Sequence, residues 1–442
     1  MNRGEAVAAL AVALLLAPLF MLSLDKVPFH PDEMSLLYQS RDLEALYTHP
    51  GRLVDFRQWQ TEPEVAYRVL NAPLAKYILA LGRRASGFGP EAVSVDWDWS
   101  QGWQANAAAG AIPPDPALLG ARLASALAAW LAAPALWLAG RRLGGTWAGW
   151  LAAASYGLNA LVLLHGRRAM AEGTLLLTVA FGLLVLLAAA KRPLLAGAAG
   201  GLALAAKHSA APLTVSSWLA AFSASPARSN SQPGDRFRRL ALAVASSLLV
   251  FYLLSPHLWA NPLAGALTTL EARGRLLQEQ IELTAELAPD RLLDRPSERL
   301  AALVGHLFFL PVQLREIGNY DQALTPAYRT YLNDPRSQLL RGNLAGAVLL
   351  GLAILGIVLS GLTWRRLGMD DRRRRGLLLT ASVLQAGALL LANPLPIQRY
   401  YLPLLPMVCL WAGLGGADLL DGLKRARQPR SAGDHSPAPT LD

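Results

Sequence analysis

Cysteine is almost absent: Cys409 is the only one in 442 residues, which excludes an intramolecular disulfide framework and any thiolate-cluster metal site. Charge is scarce as well. Only 16% of residues are Asp, Glu, Lys or Arg, against roughly a quarter in a soluble domain. No Gly-rich phosphate-cradling loop occurs between the apolar blocks, which weighs against a nucleotide-sugar or other nucleotide ligand. No fixed-period repeat is present, which weighs against a transporter or lipid flippase built from related halves. Lysine is rare beside arginine, and together with abundant Ala and Leu this is the compositional habit of a GC-rich bacterial genome.

What is abundant is apolar: 53% of the residues are hydrophobic, and they fall in long blocks. A bilayer core about 30 Å thick takes roughly 20 apolar residues per helical crossing. About ten blocks qualify: 6–24, 118–139, 146–164, 173–190, 194–207, 209–223, 240–255, 343–363, 376–392 and 400–418. The fifth and sixth are short and meet at Lys207-His208, as a tight hairpin or a pair that does not fully cross. The first has no small-residue cleavage site after Leu24 and reads as a retained anchor. The expected fold is therefore an all-α integral membrane protein with two long loops, 25–117 and 256–342. It divides into a transmembrane module 1–255, the second loop 256–342, C-terminal spans 343–423 and a disordered cytoplasmic tail 424–442.

The net charge of +10 would suit a nucleic-acid binder if it were spread over one surface. Instead it is sorted by side. With the N-terminus in the cytoplasm, the short connections on that side carry more than twice as many Lys and Arg as Asp and Glu, whereas acidic residues outnumber basic ones in the two long loops. This is the positive-inside pattern. The run Arg372 to Arg375 is thus a topology signal, no nucleic-acid partner is implied, and the long loops are expected on the periplasmic face of a bacterial inner membrane. Within them, Pro63–Leu70, Pro73–Gly82, 268–288 and Leu303–Val312 have amphipathic spacing suited to the membrane interface. Trp97, Trp99 and Trp103 read as interfacial anchors ahead of sugar-stacking residues.

Ionisable residues next to a span are costly and so draw attention. Asp32 and Glu33 follow the first block in Phe29-His30-Pro31-Asp32-Glu33, where a first helical turn favours carboxylates. Capping and general-base chemistry both account for them. Glu172 lies in His165-Gly166-Arg167-Arg168-Ala169-Met170-Ala171-Glu172, on the same expected side. Arg167, Arg168, Lys207 with His208, and Arg399 with Tyr400 are basic positions lacking carboxylate neighbours in sequence, an arrangement suited to a phosphate beside a general base.

The order of these features resembles the protein mannosyltransferase branch of the GT-C glycosyltransferases, which includes enzymes similar to the aminoarabinose transferase of lipid A. The features are a single span, Asp32-Glu33 opening a long loop, an amphipathic Pro73-Leu74-Ala75-Lys76-Tyr77, Arg167-x-x-Met170-x-Glu172 and a late Arg399-Tyr400-Tyr401-Leu402-Pro403. The likeness covers residues 1 to about 225 and the last span, and 256–342 has no counterpart. It implies a membrane glycosyltransferase that moves a sugar from a polyprenyl-phosphate carrier to an acceptor hydroxyl on a protein, glycolipid or polysaccharide. By the same likeness Asp32 is the catalytic carboxylate, Glu172 the acidic residue of the second external loop, and Lys207 and Arg399 lie near the lipid phosphate. From their places in the sequence, Asp32 is expected as general base with Glu33 or Glu172 positioning the acceptor or a cation, and Lys76, Arg167, Arg168, His208 and Tyr400 as further substrate-binding residues. Asn71-Ala72 stand where many relatives carry His or Lys before the Pro-Leu. A divalent cation is left open as cofactor, with no metal ligand named. A carrier-lipid-binding relative without turnover is the rival within this reading.

Overall fold

The computed structural model describes residues 2–189, 192–224, 233–316 and 320–427. Among them are seven helices long and apolar enough to cross a membrane: Arg3–Met21, Asp115–Gly157, Ala171–Ala188, Gly234–Leu254, Gly342–Leu362, Met369–Ala392 and Gln398–Lys424. The protein is an integral membrane protein with an all-helical fold.

One of the seven is a helical hairpin. In Asp115–Gly157 the backbone leaves helical geometry at Gly144 and at Gly145, where φ is +81°, a left-handed value that glycine adopts without a Cβ penalty. The chain then returns beside itself. Trp137 and Trp150 meet with ring centroids 6.2 Å apart, and the Tyr156 hydroxyl donates to the Ala129 carbonyl at 2.8 Å. The expected block 118–139 lies in the first arm; the block 146–164 is divided between the second arm, which ends at Gly157, and a short helix Ala160–His165 capped by the Asn159 side chain. Pro193–Ala206 and Ala211–Ser223 have 14 and 13 residues, are packed together, and are joined by a short turn at His208–Ala210.

Burial sorts the bundle. The window in Gln398–Lys424 is 89% buried and that in Ala171–Ala188 is 72% buried, whereas Gly234–Leu254 is only 11% buried. The last helix and Ala171–Ala189 therefore form the centre with the Asp115–Gly157 hairpin, and Pro233–Leu254 lies at the lipid-facing margin, covered on one side by Pro193–Ala206. The first helix packs along the hairpin, with Trp130 Nε1 donating to the Ala13 carbonyl at 2.7 Å. The last helix continues to Arg427, past the expected start of the tail at 424; residues 428–442 lie outside the described residues.

The two long loops fold together into one layer. Val27, Phe29, Met34 and Trp97 of the first share a core with Val312, Leu314, Tyr320, Tyr328 and Tyr331 of the second, seated on Leu118, Ala121 and Leu164 at the ends of the membrane helices. The segments with helical spacing are helices at Pro63–Leu70, Pro73–Ala85 and Pro262–Leu287. The run Leu303–Val312 differs: it holds the end of a helix, Pro296–Val304, and a π-turn at Gly305–Phe309. Trp97 is corrected too, since it is 2% exposed and packs within 6.4 Å of Phe29, Trp99, Trp103 and Tyr320 instead of anchoring at an interface.

Candidate active site

Helix Pro31–Gln39 begins where His30 Nδ1 accepts the Asp32 amide at 3.2 Å and the Glu33 side chain accepts the His30 amide at 3.0 Å. This reciprocal cap, with Pro31 at the first position, fixes the first turn and sends the two adjacent carboxylates in different directions.

Glu33 points inward and is fully buried. Arg122 grips it with two hydrogen bonds of 2.8 Å, and the Ala169 amide adds a third at 2.7 Å. Such a bidentate, completely satisfied carboxylate is a tie between the loop helix, the hairpin and the 166–170 turn. Both its oxygens are fully taken up by Arg122 and the His30 and Ala169 amides, which leaves no lone pair for an acceptor or a cation. Asp32 points the other way, with 25% of its side chain exposed. It is in contact with Arg399, whose other Nη donates to Glu316 Oε2 at 2.8 Å. Burial raises the carboxyl of Glu316 above the usual range, Arg399 working against that shift and the neighbouring Asp32 adding to it.

A second ion pair lies beside the first. Lys207 donates to Glu172 at 2.5 Å, and the other Glu172 oxygen is buried without a hydrogen-bond partner. The Tyr400 ring stands between the pairs, 5.6 Å from the Lys207 ammonium and 5.8 Å from the Arg399 guanidinium; its hydroxyl faces Gln280 at 3.4 Å. Asp32, Glu172, Lys207, Arg399 and Tyr400 thus share one region with Glu316. Lys207 and Arg399, which have no carboxylate neighbours in sequence, are paired through the fold by residues far away in it.

Other expected ligands lie elsewhere. Lys76 is 2% exposed and donates to Asp42, which also accepts from Arg68 at 3.0 Å. Burial alone would raise Asp42, but Lys76 and Arg68 outweigh it and hold the carboxyl below its usual range. Lys76 is therefore spent on a buried triad within the loop layer. Arg167 donates to the Leu22 and Ser23 carbonyls at 2.7 and 2.6 Å, and Arg168 to those of Pro28 and Leu314 at 3.3 and 2.7 Å. They clamp the loop after the first helix to the 166–170 turn, which explains two arginines on that side without an anion. His208 packs edge-on against Phe251, 6.0 Å between centroids, with Nε2 unpartnered.

Sequence reasoning passed over Arg122 and Glu316. Nothing local distinguishes either, because their partners are 89 and 83 residues away. As for a metal, one group of ligand atoms within 4.8 Å of one another occurs among the described residues: His30, Asp32 and Glu316. Two carboxylates and an imidazole suit a divalent cation, but Arg399 already supplies their positive charge.

No family model matches the sequence, and no curated protein matches it. Its fold does match solved structures. Against the aminoarabinose transferase ArnT from Cupriavidus metallidurans, crystallised with undecaprenyl phosphate, the identity is 15% over 96% of this chain and 64% of that one, with a TM-score of 0.51. Against the oligosaccharyltransferase of Archaeoglobus fulgidus, tethered to an acceptor peptide, it is 13% over 97% of this chain and 51% of that one, with a TM-score of 0.50. The chain thus spans about half to two thirds of the length of these proteins. Identity this low speaks to architecture alone: the chain shares the helical membrane-protein fold of these two structures.

Proposed function

We propose that this protein is a glycosyltransferase that moves a sugar from a polyprenyl-phosphate carrier to an acceptor hydroxyl on the non-cytoplasmic side, with Asp32 as general base. The observation that carries the reading is the placement of a part-exposed carboxylate against a guanidinium, with a second cation, Lys207, across the Tyr400 ring. A carrier needs an apolar bundle for its tail, cations for its phosphate and one base for the acceptor. These requirements coincide at the junction of bundle and loop layer.

In the chemical step the acceptor oxygen forms a bond to the anomeric carbon, and the bond from that carbon to the phosphate oxygen breaks. The acceptor proton passes to Asp32, and the electron pair leaves on the phosphate. One displacement of this kind inverts the anomeric centre. Arg399 holds Asp32 while no phosphate is present, then turns to the phosphate as negative charge builds on the leaving oxygen. Lys207 does the same from the other side, positioned by Glu172. Glu316 keeps Arg399 aligned. A cation bound by His30, Asp32 and Glu316 would supply further charge neutralisation, and the steps above rest on the chain's own residues.

The test is incubation of purified protein with labelled polyprenyl-phosphate sugars and identification of the product. Transfer by the native chain, with Asp32→Asn slower by about 10²–10⁴-fold, the usual contribution of a positioned base, is expected. Equal transfer by Asp32→Asn would remove the base assignment, and absence of turnover with every carrier sugar would leave a lipid-binding protein.

A further inference from the structure

We infer that Arg239 and Arg373 form a binding site for the phosphodiester headgroup of an anionic phospholipid, in the leaflet away from the loop layer. The inference stands apart from the transferase reading, since neither residue belongs to the candidate active site.

Helix Ala211–Ser223 starts next to Lys207, at the active-site end of the bundle, so its last turn lies at the opposite end. It packs against both Pro233–Leu254 and Met369–Ala392. Gln385 Nε2 donates to the Ser209 carbonyl at 3.2 Å. Met369–Ala392 runs antiparallel to Ala211–Ser223, because Pro394, just past its end, accepts a backbone hydrogen bond from Leu293 of the second loop. Residue 373 precedes 385 by as many positions as 221 follows 209, so Arg373 comes level with the last turn of Ala211–Ser223. On the other flank Phe237 packs edge-on against Phe222, 5.6 Å between centroids, and brings Arg239 to the same turn. The two guanidinium groups thus flank one helix end, near enough for their charges to act on each other.

The protein itself leaves both groups unused. In the run Arg372 to Arg375, Arg372 donates to the Leu367 and Arg365 carbonyls, Arg374 to the Arg142 carbonyl and Asp371, and Arg375 to Ser360. Among the described residues Arg373 and Arg239 have no such partner, although Nε and Nη2 of each are shielded from solvent. Asp370 acts on the Arg373 charge without contact, and Asp235, a turn before Arg239, forms no ion pair with it. An arginine that snorkels keeps its nitrogens in water. Here two nitrogens of each are dry and lack an acceptor, beside a like charge, and an anion removes both costs. The free oxygens of a phosphate match the guanidinium fork. The surroundings make the source a lipid. Val215, Leu219 and Leu379, deeper along the same helices, are exposed and offer acyl chains an apolar surface that a free phosphate would not use. Basic pockets between membrane helices are where anionic headgroups bind.

The experiment is native mass spectrometry of the full chain in detergent with equal amounts of phosphatidylglycerol and phosphatidylcholine carrying the same acyl chains. The native chain is expected to retain phosphatidylglycerol in preference. Arg239→Gln combined with Arg373→Gln should lower that retention about tenfold or more. Arg365→Gln combined with Arg366→Gln, an equal loss of charge from exposed side chains nearby, should leave it unchanged. Thermal melts separate a lost ligand from a lost fold: in detergent alone both variants should melt like the native chain, and only the Arg239 and Arg373 variant should gain nothing from added phosphatidylglycerol. Equal retention of the two lipids by the native chain, a reading that needs no variant, would overturn the inference. So would the same loss in both variants, or displacement of phosphatidylglycerol from the native chain by inorganic phosphate.

Discussion

At the scale of single residues, the pair Asp32-Glu33 divides into two fates. Glu33 and Arg122 are buried counter-charges, and removing one partner of such a pair costs about 3–5 kcal/mol because the other is left uncompensated. Glu33→Gln should therefore lower the thermal unfolding temperature in detergent markedly, while Asp32→Asn leaves it nearly unchanged. The opposite pattern would exchange their roles. His257 provides a pH test in the loop layer, where its Nε2 lies 3.2 Å from Thr269 Oγ1. Burial, with Lys76 adding, pushes its imidazole from 6.5 down to about 4. As pH falls below 6.5 the unfolded chain takes up a proton that the folded chain refuses, so stability is lost progressively down to about 4. His257→Asn should flatten that part of the acid slope in a series of thermal melts, and an unaltered slope would show that other groups set it. That Asp32 and Glu172 are candidates was legible from their places beside spans; that Glu33 is a tie was not, since Arg122 is 89 residues away.

At the scale of elements, helices Gly342–Leu362 and Leu405–Arg427 touch along small residues. A Cβ at Gly356 would run into the Trp411 carbonyl, and one at Gly415 into that of Leu352. Close backbone approach of this kind depends on the missing side chain. Gly356→Leu and Gly415→Leu should each reduce the yield of folded protein and its melting temperature, whereas Gly351→Ala, which meets nothing within 4 Å, should not. Equal tolerance at all three positions would mean that the two helices are held by other contacts. The helices themselves were readable from apolar length. The fold-back at Gly144-Gly145 was readable only as a break between blocks, because the sequence does not say whether two glycines bend a helix or reverse it.

At the scale of the whole molecule, orientation is the property on which the site's access depends. Charge asymmetry between the short connections and the long loops is its basis. Cys409 is buried, so an impermeant thiol reagent should ignore the native chain in intact cells. A cysteine at the exposed Ser94 should be labelled there, and one at the exposed Gly368, between two membrane helices, only after the membrane is opened. Labelling of Gly368→Cys alone in intact cells would reverse the topology and remove a non-cytoplasmic acceptor with it.

The sequence by itself determined the solvent each segment must face. Scarce charge, long apolar blocks and sorted arginines follow from the cost of moving polar groups into hydrocarbon, which acts locally and is therefore written locally. Only the tertiary structure decided which cations and carboxylates meet. Arg399 joins Asp32 and Glu316, Lys207 joins Glu172, and Lys76 is withdrawn into a triad with Asp42 and Arg68. A buried charge must find its opposite through space, and the partner can come from any loop that the packing brings near. The second loop, which had no recognisable counterpart, supplies Glu316 beside Arg399 for that reason.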